Sequence, residues 1–220
     1  MPCTPVLHVQ NGDDIPVGKI ICLARTYARH AMEMGSQPAS DLVMFLKPAS
    51  AVIHDGGTIR IPHAADEVHH EVEMAVVIGR RGCHIAAGNA ARHIYGYAVA
   101  VDVTARDLQH EAKQQGLPWT AAKGYDTFCP ISSVVPASRI AHPDALELSL
   151  SVNGTLRQTS TTARLIHPVE DILAQLSDIM TLCPGDLILT GTPEGVGPLH
   201  PGDVVEARLD DCCHLRVSVE

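Results

Sequence analysis

The triplet Glu71-Val72-Glu73 falls in Val68 to Gly79, where apolar Val68, Val72, Met74, Val76 and Ile78 alternate loosely with polar residues, the pattern of a strand buried at its far end. In a strand the side-chain period of two puts both carboxylates on one face and Val72 on the other. Two acids so placed repel each other and need a counter-charge. That charge is either an Arg or Lys at a solvated sheet edge, or a hard divalent cation such as Mg²⁺, Mn²⁺ or Ca²⁺, which takes carboxylate and water oxygens. With 25 acidic residues in 220, acid-x-acid triplets arise by chance about three times, so context has to decide. Asp102 supplies some: it is a lone acid closing the apolar run Ala98-Val99-Ala100-Val101. It stands either to complete a three-carboxylate site or to help cap the helix that follows.

Other residues hold the same two-sided position. His30-x-x-Glu33 has the i, i+3 spacing that lets a carboxylate orient an imidazole and raise its basicity, as a general base requires, and it is also the spacing of an incidental surface pair. His69 and His70 flank the acids, but neighbours in a strand point opposite ways, so at most one could face them. Lys123, before Gly124, is either a local cation or a solvated lysine. The Gly-dense run Thr190 to Gly197 offers backbone N-H groups and hydroxyls to an oxyanion, or is a plain tight turn. It lacks the Gly-Lys-Ser ending of a phosphate-cradling loop.

The elements that must position these residues are mostly strands. Gly and Pro are spread in the manner of turns between short strands, giving an α+β, β-rich chain. Strands are predicted over Lys19 to Ala24, Val68 to Gly79, Tyr95 to Val103 and Asp186 to Leu189. Hairpins are predicted around Asn153-Gly154 and Asp210-Asp211. Helices are predicted from Thr26 to Met34, from a capping box at Thr104-x-x-Asp107 up to Gly116, and from Pro168 to Met180, which carries one apolar face.

Composition excludes several functions. Hydrophobic residues make up 45% of the chain, enough for a substantial core and too many for disorder. Aromatics are only 3% and the net charge is -9, which leaves no base-stacking platform and repels polyanions and anionic membrane surfaces. Met1-Pro2-Cys3-Thr4 opens no basic-then-apolar leader, and no apolar run approaches the roughly 18 residues of a membrane span. An odd count of seven cysteines without a CxxC pair fits a reducing compartment. The expectation is a soluble, unprocessed, cytoplasmic protein.

Taken in order, Arg25-Thr26-Tyr27-x-x-His30-x-x-Glu33, Phe45-Leu46-Lys47-Pro48, His69-His70-Glu71-Val72-Glu73, Asp102-Val103-Thr104-Ala105-Arg106-Asp107, Gly116-Leu117-Pro118-Trp119 and Thr190-Gly191-Thr192-Pro193-x-Gly195-Val196-Gly197 resemble the fumarylacetoacetate hydrolase family, in its short single-module acylpyruvase and oxaloacetate decarboxylase branch. The likeness runs from Lys19 to the C-terminus, leaving residues 1–18 as a short N-terminal segment before a catalytic domain of residues 19–220. The resemblance implies a mixed β-roll with a few short helices, assembled as a homodimer, with Mg²⁺ or Mn²⁺ (Ca²⁺ in a crystal) on Glu71, Glu73 and Asp102. It implies a His30 and Glu33 dyad on a lid, a catalytic Lys123, and substrate contacts from Arg25, Arg106, Gln109 and Thr192. The activity implied is hydrolysis of a carbon-carbon bond in acylpyruvates of the acetylpyruvate or fumarylpyruvate type through a pyruvate enolate. Oxaloacetate decarboxylation and keto-enol isomerisation are the alternatives at the same site, and a non-catalytic module binding 2-keto acids is the alternative of another class. Thr26 stands where the family commonly has Asn, keeping a hydroxyl and losing the carboxamide's paired donor and acceptor.

Overall fold

Runs of aliphatic residues assemble two main sheets in the structure, a computed structural model that describes residues 5–37 and 41–220. Met1 to Thr4, read above for a leader, lie outside the described residues. The first sheet has six strands in the order Val135–Pro136, Ile94–Val101, Val72–Ile78, Leu187–Leu189, Ile20–Ala24 and Val43–Lys47. The second has five, in the order Thr155–Thr161, Glu147–Val152, Val204–Leu209, Cys213–Val219 and Thr58–Ile59. Neighbours run antiparallel except Leu187–Leu189 beside Ile20–Ala24 and Cys213–Val219 beside Thr58–Ile59.

The main core fills the space between the sheets. Ile21, Leu23, Met74, Val76, Val99 and Val101 belong to one apolar cluster with Leu148, Leu150, Leu209 and Leu215 of the second sheet. On its other face the first sheet buries Ile20, Cys22, Ala75, Val77, Ala98 and Leu187 in a smaller cluster. With both faces covered, every residue of Val72–Ile78 is buried, which is why its alternation is loose in the sequence. Cys213–Val219 has one solvated face and alternates strictly between buried and exposed. The helix Val169–Ile179 adds Val169, Ile172, Leu173 and Leu176 to the main core, with Pro168 at its N-cap, one position before the first turn.

Both predicted hairpins are present, the first with Asn153 at φ 52° and Gly154 at φ 75°, the left-handed pair a two-residue turn demands. Two expectations need correction. The strand predicted from Val68 to Gly79 is two strands, because Val68–His70 leaves the six-stranded ladder and pairs instead with Thr104–Ala105 and Gly197–Pro198. Glu71 is the joint between them. The capping box is not formed: Thr104 is in a strand, its hydroxyl donates to the Asp102 carbonyl at 3.1 Å, and the helix Arg106–Gln115 starts without a side-chain cap. Asp107 instead accepts the Asp66 N-H at 2.8 Å. Gly116 closes that helix at φ 67°, as read from the sequence.

Leu148 is fully buried between the sheets. Leu148→Ala is expected to lower unfolding free energy by about 2–5 kcal/mol in a urea titration.

Candidate active site

Antiparallel pairing sets the site. Val72 pairs with Val101 and Glu73 with Ala100, while the Asp102 N-H donates to the Glu71 carbonyl at 2.8 Å. Glu71, Glu73 and Asp102 therefore converge at one end of two neighbouring strands, with one carboxylate oxygen of each within 4.8 Å of the others. All three are buried, at 6%, 1% and 0% exposure, which excludes the solvated sheet edge. Asp102 does not cap the helix, whose N-cap is Ala105.

Buried cations answer part of this charge. Lys123, at the end of the short helix Thr120–Lys123, donates to Glu71 Oε2 at 2.9 Å and to Asp102 Oδ2 at 2.6 Å. It is 1% exposed, so the solvated-lysine alternative is excluded. Arg106 Nη2 donates to Glu71 Oε1, and its Nη1 donates to Gln109 Oε1 at 2.6 Å. Lys47, on the edge strand, pairs with Asp102 Oδ1 at 2.8 Å while it hydrogen-bonds the carbonyls of Val103 and Lys123. Glu73 has no cation at ion-pairing distance among the described residues. Its partner is the Gly191 N-H, at 2.6 Å.

The titration behaviour follows this asymmetry. Burial pushes Glu71 up, but Lys123 and Arg106 outweigh it and hold the carboxyl well below the usual carboxylate range. Burial, then the charges of Asp102 and Glu71, push Glu73 well above it. Burial lowers Lys123, but Asp102 and Glu71 outweigh that and keep its ammonium above the ordinary value. Glu73 is thus the point where positive charge is short. Three hard oxygen donors, with no imidazole or thiolate among them, fit a divalent cation of the Mg²⁺, Mn²⁺ or Ca²⁺ type.

A cavity of about 340 Å³ opens onto the acids. Arg25, His30, Arg106, Gln109, Lys123 and Thr192 line it together with Glu71 and Glu73. Glu33 and Asp102 do not: Glu33 reaches it through His30, and Asp102 lies behind it with Lys123 and Lys47 on its oxygens. His30, on the helix Ala28–Glu33, places Nδ1 3.1 Å from Glu33 Oε2, and Glu33 Oε1 accepts the Gly195 N-H at 3.0 Å. His30 is only 8% exposed and the exposed Glu33 is anchored by the Gly195 N-H, so the pair is fixed from both sides. Its Nδ1-H is committed to the carboxylate, leaving Nε2 to exchange a proton at the cavity. The loop Thr190 to Gly197 is more than a turn. Besides the Gly191 and Gly195 N-H groups, it carries the Thr190 carbonyl that accepts the Thr26 hydroxyl at 2.7 Å.

Neither flanking histidine faces the acids. His69 Nε2 meets Glu67 at 2.6 Å, and His70 Nδ1 meets Gln158 Oε1 at 2.9 Å. Three further residues escaped the sequence reading. A lysine closing the apolar strand Val43–Lys47 was a signal for Lys47, and spacing was one for Lys113, which follows Arg106 and Gln109 on a single helix face. Lys113 lines the cavity with Nζ 5.1 Å from the centre of the Trp119 ring; burial, then the Arg106 charge, lower its pKa. Nothing local marked Gln158.

Residues 19–220 match the family model described as fumarylacetoacetate (FAA) hydrolase C-terminal. The chain belongs to the fumarylacetoacetate hydrolase family. Within this family it is 50% identical over 202 residues to the mitochondrial oxaloacetate tautomerase FAHD1 of Arabidopsis thaliana, covering 92% of this chain and 91% of that protein. It is 46% identical over 192 residues to the mitochondrial oxaloacetate decarboxylase of Dictyostelium discoideum, covering 87% and 88%. The fumarylpyruvate hydrolase of Pseudomonas aeruginosa, solved in complex with Mn²⁺ and pyruvate, superposes with a TM-score of 0.95 at 38% identity, covering 100% of this chain and 97% of that one. The strand-rich mixed fold is that of the family, and the chain is an enzyme of its single-module hydrolase and isomerase branch.

Glu73→Gln keeps the shape and removes the unanswered charge. We expect Mn²⁺ affinity, measured by calorimetry, to fall about tenfold or more, while the metal-free protein melts no lower than the parent.

Proposed function

We propose that this chain interconverts the enol and keto forms of a 2-keto dicarboxylic acid of the oxaloacetate type, with Mg²⁺ or Mn²⁺ on Glu71, Glu73 and Asp102. One observation carries the reading: a single imidazole, His30, tied at Nδ1 to Glu33, stands over a cavity whose outer cations are unpaired. Among the described residues neither Arg25 nor Lys113 has a carboxylate at ion-pairing distance, so a substrate with two carboxylates supplies the missing negative charge. The 50% identity to an oxaloacetate tautomerase supports the same choice. When bound, the cation supplies Lewis-acid polarisation of the 2-keto group. Lys123 and Arg106 balance the charge of the keto acid head, and Lys113 and Arg25 hold the second carboxylate. His30 Nε2 takes the proton from carbon 3 and returns it to the 2-oxygen as the enol forms, or runs the same transfer in reverse to give the keto acid, while the Thr192 hydroxyl donates to an oxygen on which negative charge develops.

Hydrolysis of acylpyruvates is the second reading. Thr192 on the cavity wall favours it, as does the Pseudomonas relative with pyruvate. There His30 accepts a proton from the water that attacks the distal carbonyl, Thr192 donates to the resulting oxyanion, and carbon-carbon cleavage releases a pyruvate enolate. The cytoplasmic location and the homodimer are part of the proposal.

Purified protein with Mg²⁺ or Mn²⁺ is to be assayed for ultraviolet loss of enol-oxaloacetate, for pyruvate release from oxaloacetate, and for cleavage of acetylpyruvate and fumarylpyruvate. The first rate is expected to dominate, and His30→Ala to lower its kcat about 10²- to 10⁴-fold. Full activity of that variant, or a dominant cleavage rate, sinks the primary reading.

A further inference from the structure

We propose that Gln158 is a positioning residue of this active site: one buried carboxamide sets the direction in which the Thr192 hydroxyl donates and holds both neighbours of Glu71, the Val72 N-H and the His70 imidazole. The proposal rests on the reading of the cavity as the site of 2-keto acid chemistry. Gln158 comes from the second sheet, on the strand Thr155–Thr161, and is 1% exposed. Its four polar contacts are Oε1 with the Val72 N-H at 3.0 Å and with His70 Nδ1 at 2.9 Å, and Nε2 with Thr192 Oγ1 at 2.9 Å and with the Pro193 carbonyl at 3.0 Å.

Two of these partners fix the orientation of the amide. A backbone N-H can only donate and a carbonyl can only accept, so Oε1 faces Val72 and Nε2 faces Pro193. The other two roles then follow. Nε2 spends its second proton on Thr192, whose oxygen must accept, and the threonine's own hydrogen is left for the cavity that Thr192 lines. A threonine with no such donor behind it could turn its hydrogen toward protein and offer the cavity only a lone pair. On the other side, His70 and Val72 hold the same oxygen, so Glu71 is gripped from both neighbours at the joint where its strand changes sheets.

The approach of Gln158 depends on a local irregularity. Leu150 pairs with Gln158 but Ser151 with Leu156, so Arg157 is the extra residue of a β-bulge, the kind of insertion that re-aims a side chain. The loop after Thr190 packs on that bulge. A Cβ on Gly195, which sits at φ 94°, would lie 2.3 Å from the Arg157 carbonyl. The Gly195 N-H is the donor that holds Glu33 behind His30. One bulge thereby places both the amide that orients Thr192 and the support of the base.

The test is a double-mutant cycle of Gln158→Leu with Thr192→Val, with Gln158→Glu as the isosteric variant that cannot donate twice. Each single change is expected to lower kcat for the best substrate about 10- to 100-fold with KM within about twofold, and the pair to be scarcely slower than Gln158→Leu alone. Multiplicative losses, or full activity in Gln158→Leu, overturn the proposal. A second readout needs neither turnover nor a Gln158 variant that folds. In ¹⁵N spectra of the parent protein both Gln158 side-chain protons should exchange slowly, and Thr192→Val should shift one of them selectively. Fast exchange or no shift overturns the geometry. Absence of turnover in the parent with slow exchange intact overturns the reading of the site instead.

Discussion

Three carboxylates confined to a few ångströms inside a protein dominate the energetics of this chain. At separations up to 4.8 Å, each like-charged pair repels by roughly 3 kcal/mol or more at an effective dielectric of about 20. Nothing in the hydrophobic core offsets that, so the surroundings must. Lys123, Arg106 and Lys47 do so for Glu71 and Asp102, and they must be buried to do it. Removing one of these cations would leave a buried charge uncompensated, a larger loss than the pair's own attraction. Glu73, served by a single backbone N-H, is the part of the cluster that protein charge does not finish, and a divalent cation is the simplest completion.

The architecture exists to make that cluster affordable. The two strands that deliver the acids are covered on both faces, so their ends are rigid and their carboxylates have little freedom to swing apart. The cations arrive from different elements: an edge strand for Lys47, the first residue of a helix for Arg106, the end of a four-residue helix for Lys123. The second sheet contributes Gln158, and the loop after Leu187–Leu189 contributes Gly191, Thr192 and Gly195. Division of labour across so many elements suits a site that must hold repelling groups still.

The outer half of the cavity is built on a different principle. Phe45 and Trp119 form an apolar wall, with ring centres 5.6 Å apart, and Lys113 lies over the indole. An aromatic face steadies an ammonium without neutralising it, so Lys113 keeps a charge to offer an anion. The inner half therefore resolves its charge within the protein except at Glu73, while in the outer half Arg25 and Lys113 have no carboxylate at ion-pairing distance among the described residues. On the reading proposed above, that division would suit small, doubly charged molecules, while the net charge of -9 repels polyanions.

Local chemistry made the strands, the two hairpins and the amphipathic helix legible, because hydrophobic period and turn residues act over a few positions. Asn153-Gly154 needed no tertiary information. Glu71 and Glu73 and the His30 and Glu33 pair were legible as residue types at short spacing, Asp102 as a lone acid closing an apolar run, and Arg106 and Gln109 only through the ordered blocks that resemble a family. The broken strand at Glu71 and the unformed cap at Thr104 were not, because both depend on pairing partners more than 30 residues away. The same holds for Gln158, whose role comes from a bulge in another sheet, and for the near-complete burial of Lys47 and Lys123. Residue order by itself determined which groups were available and what ion or anion they suit. Only the tertiary structure decided which of them meet, since burial and long-range strand pairing set the charge balance, and with it the opposite titration of Glu71 and Glu73.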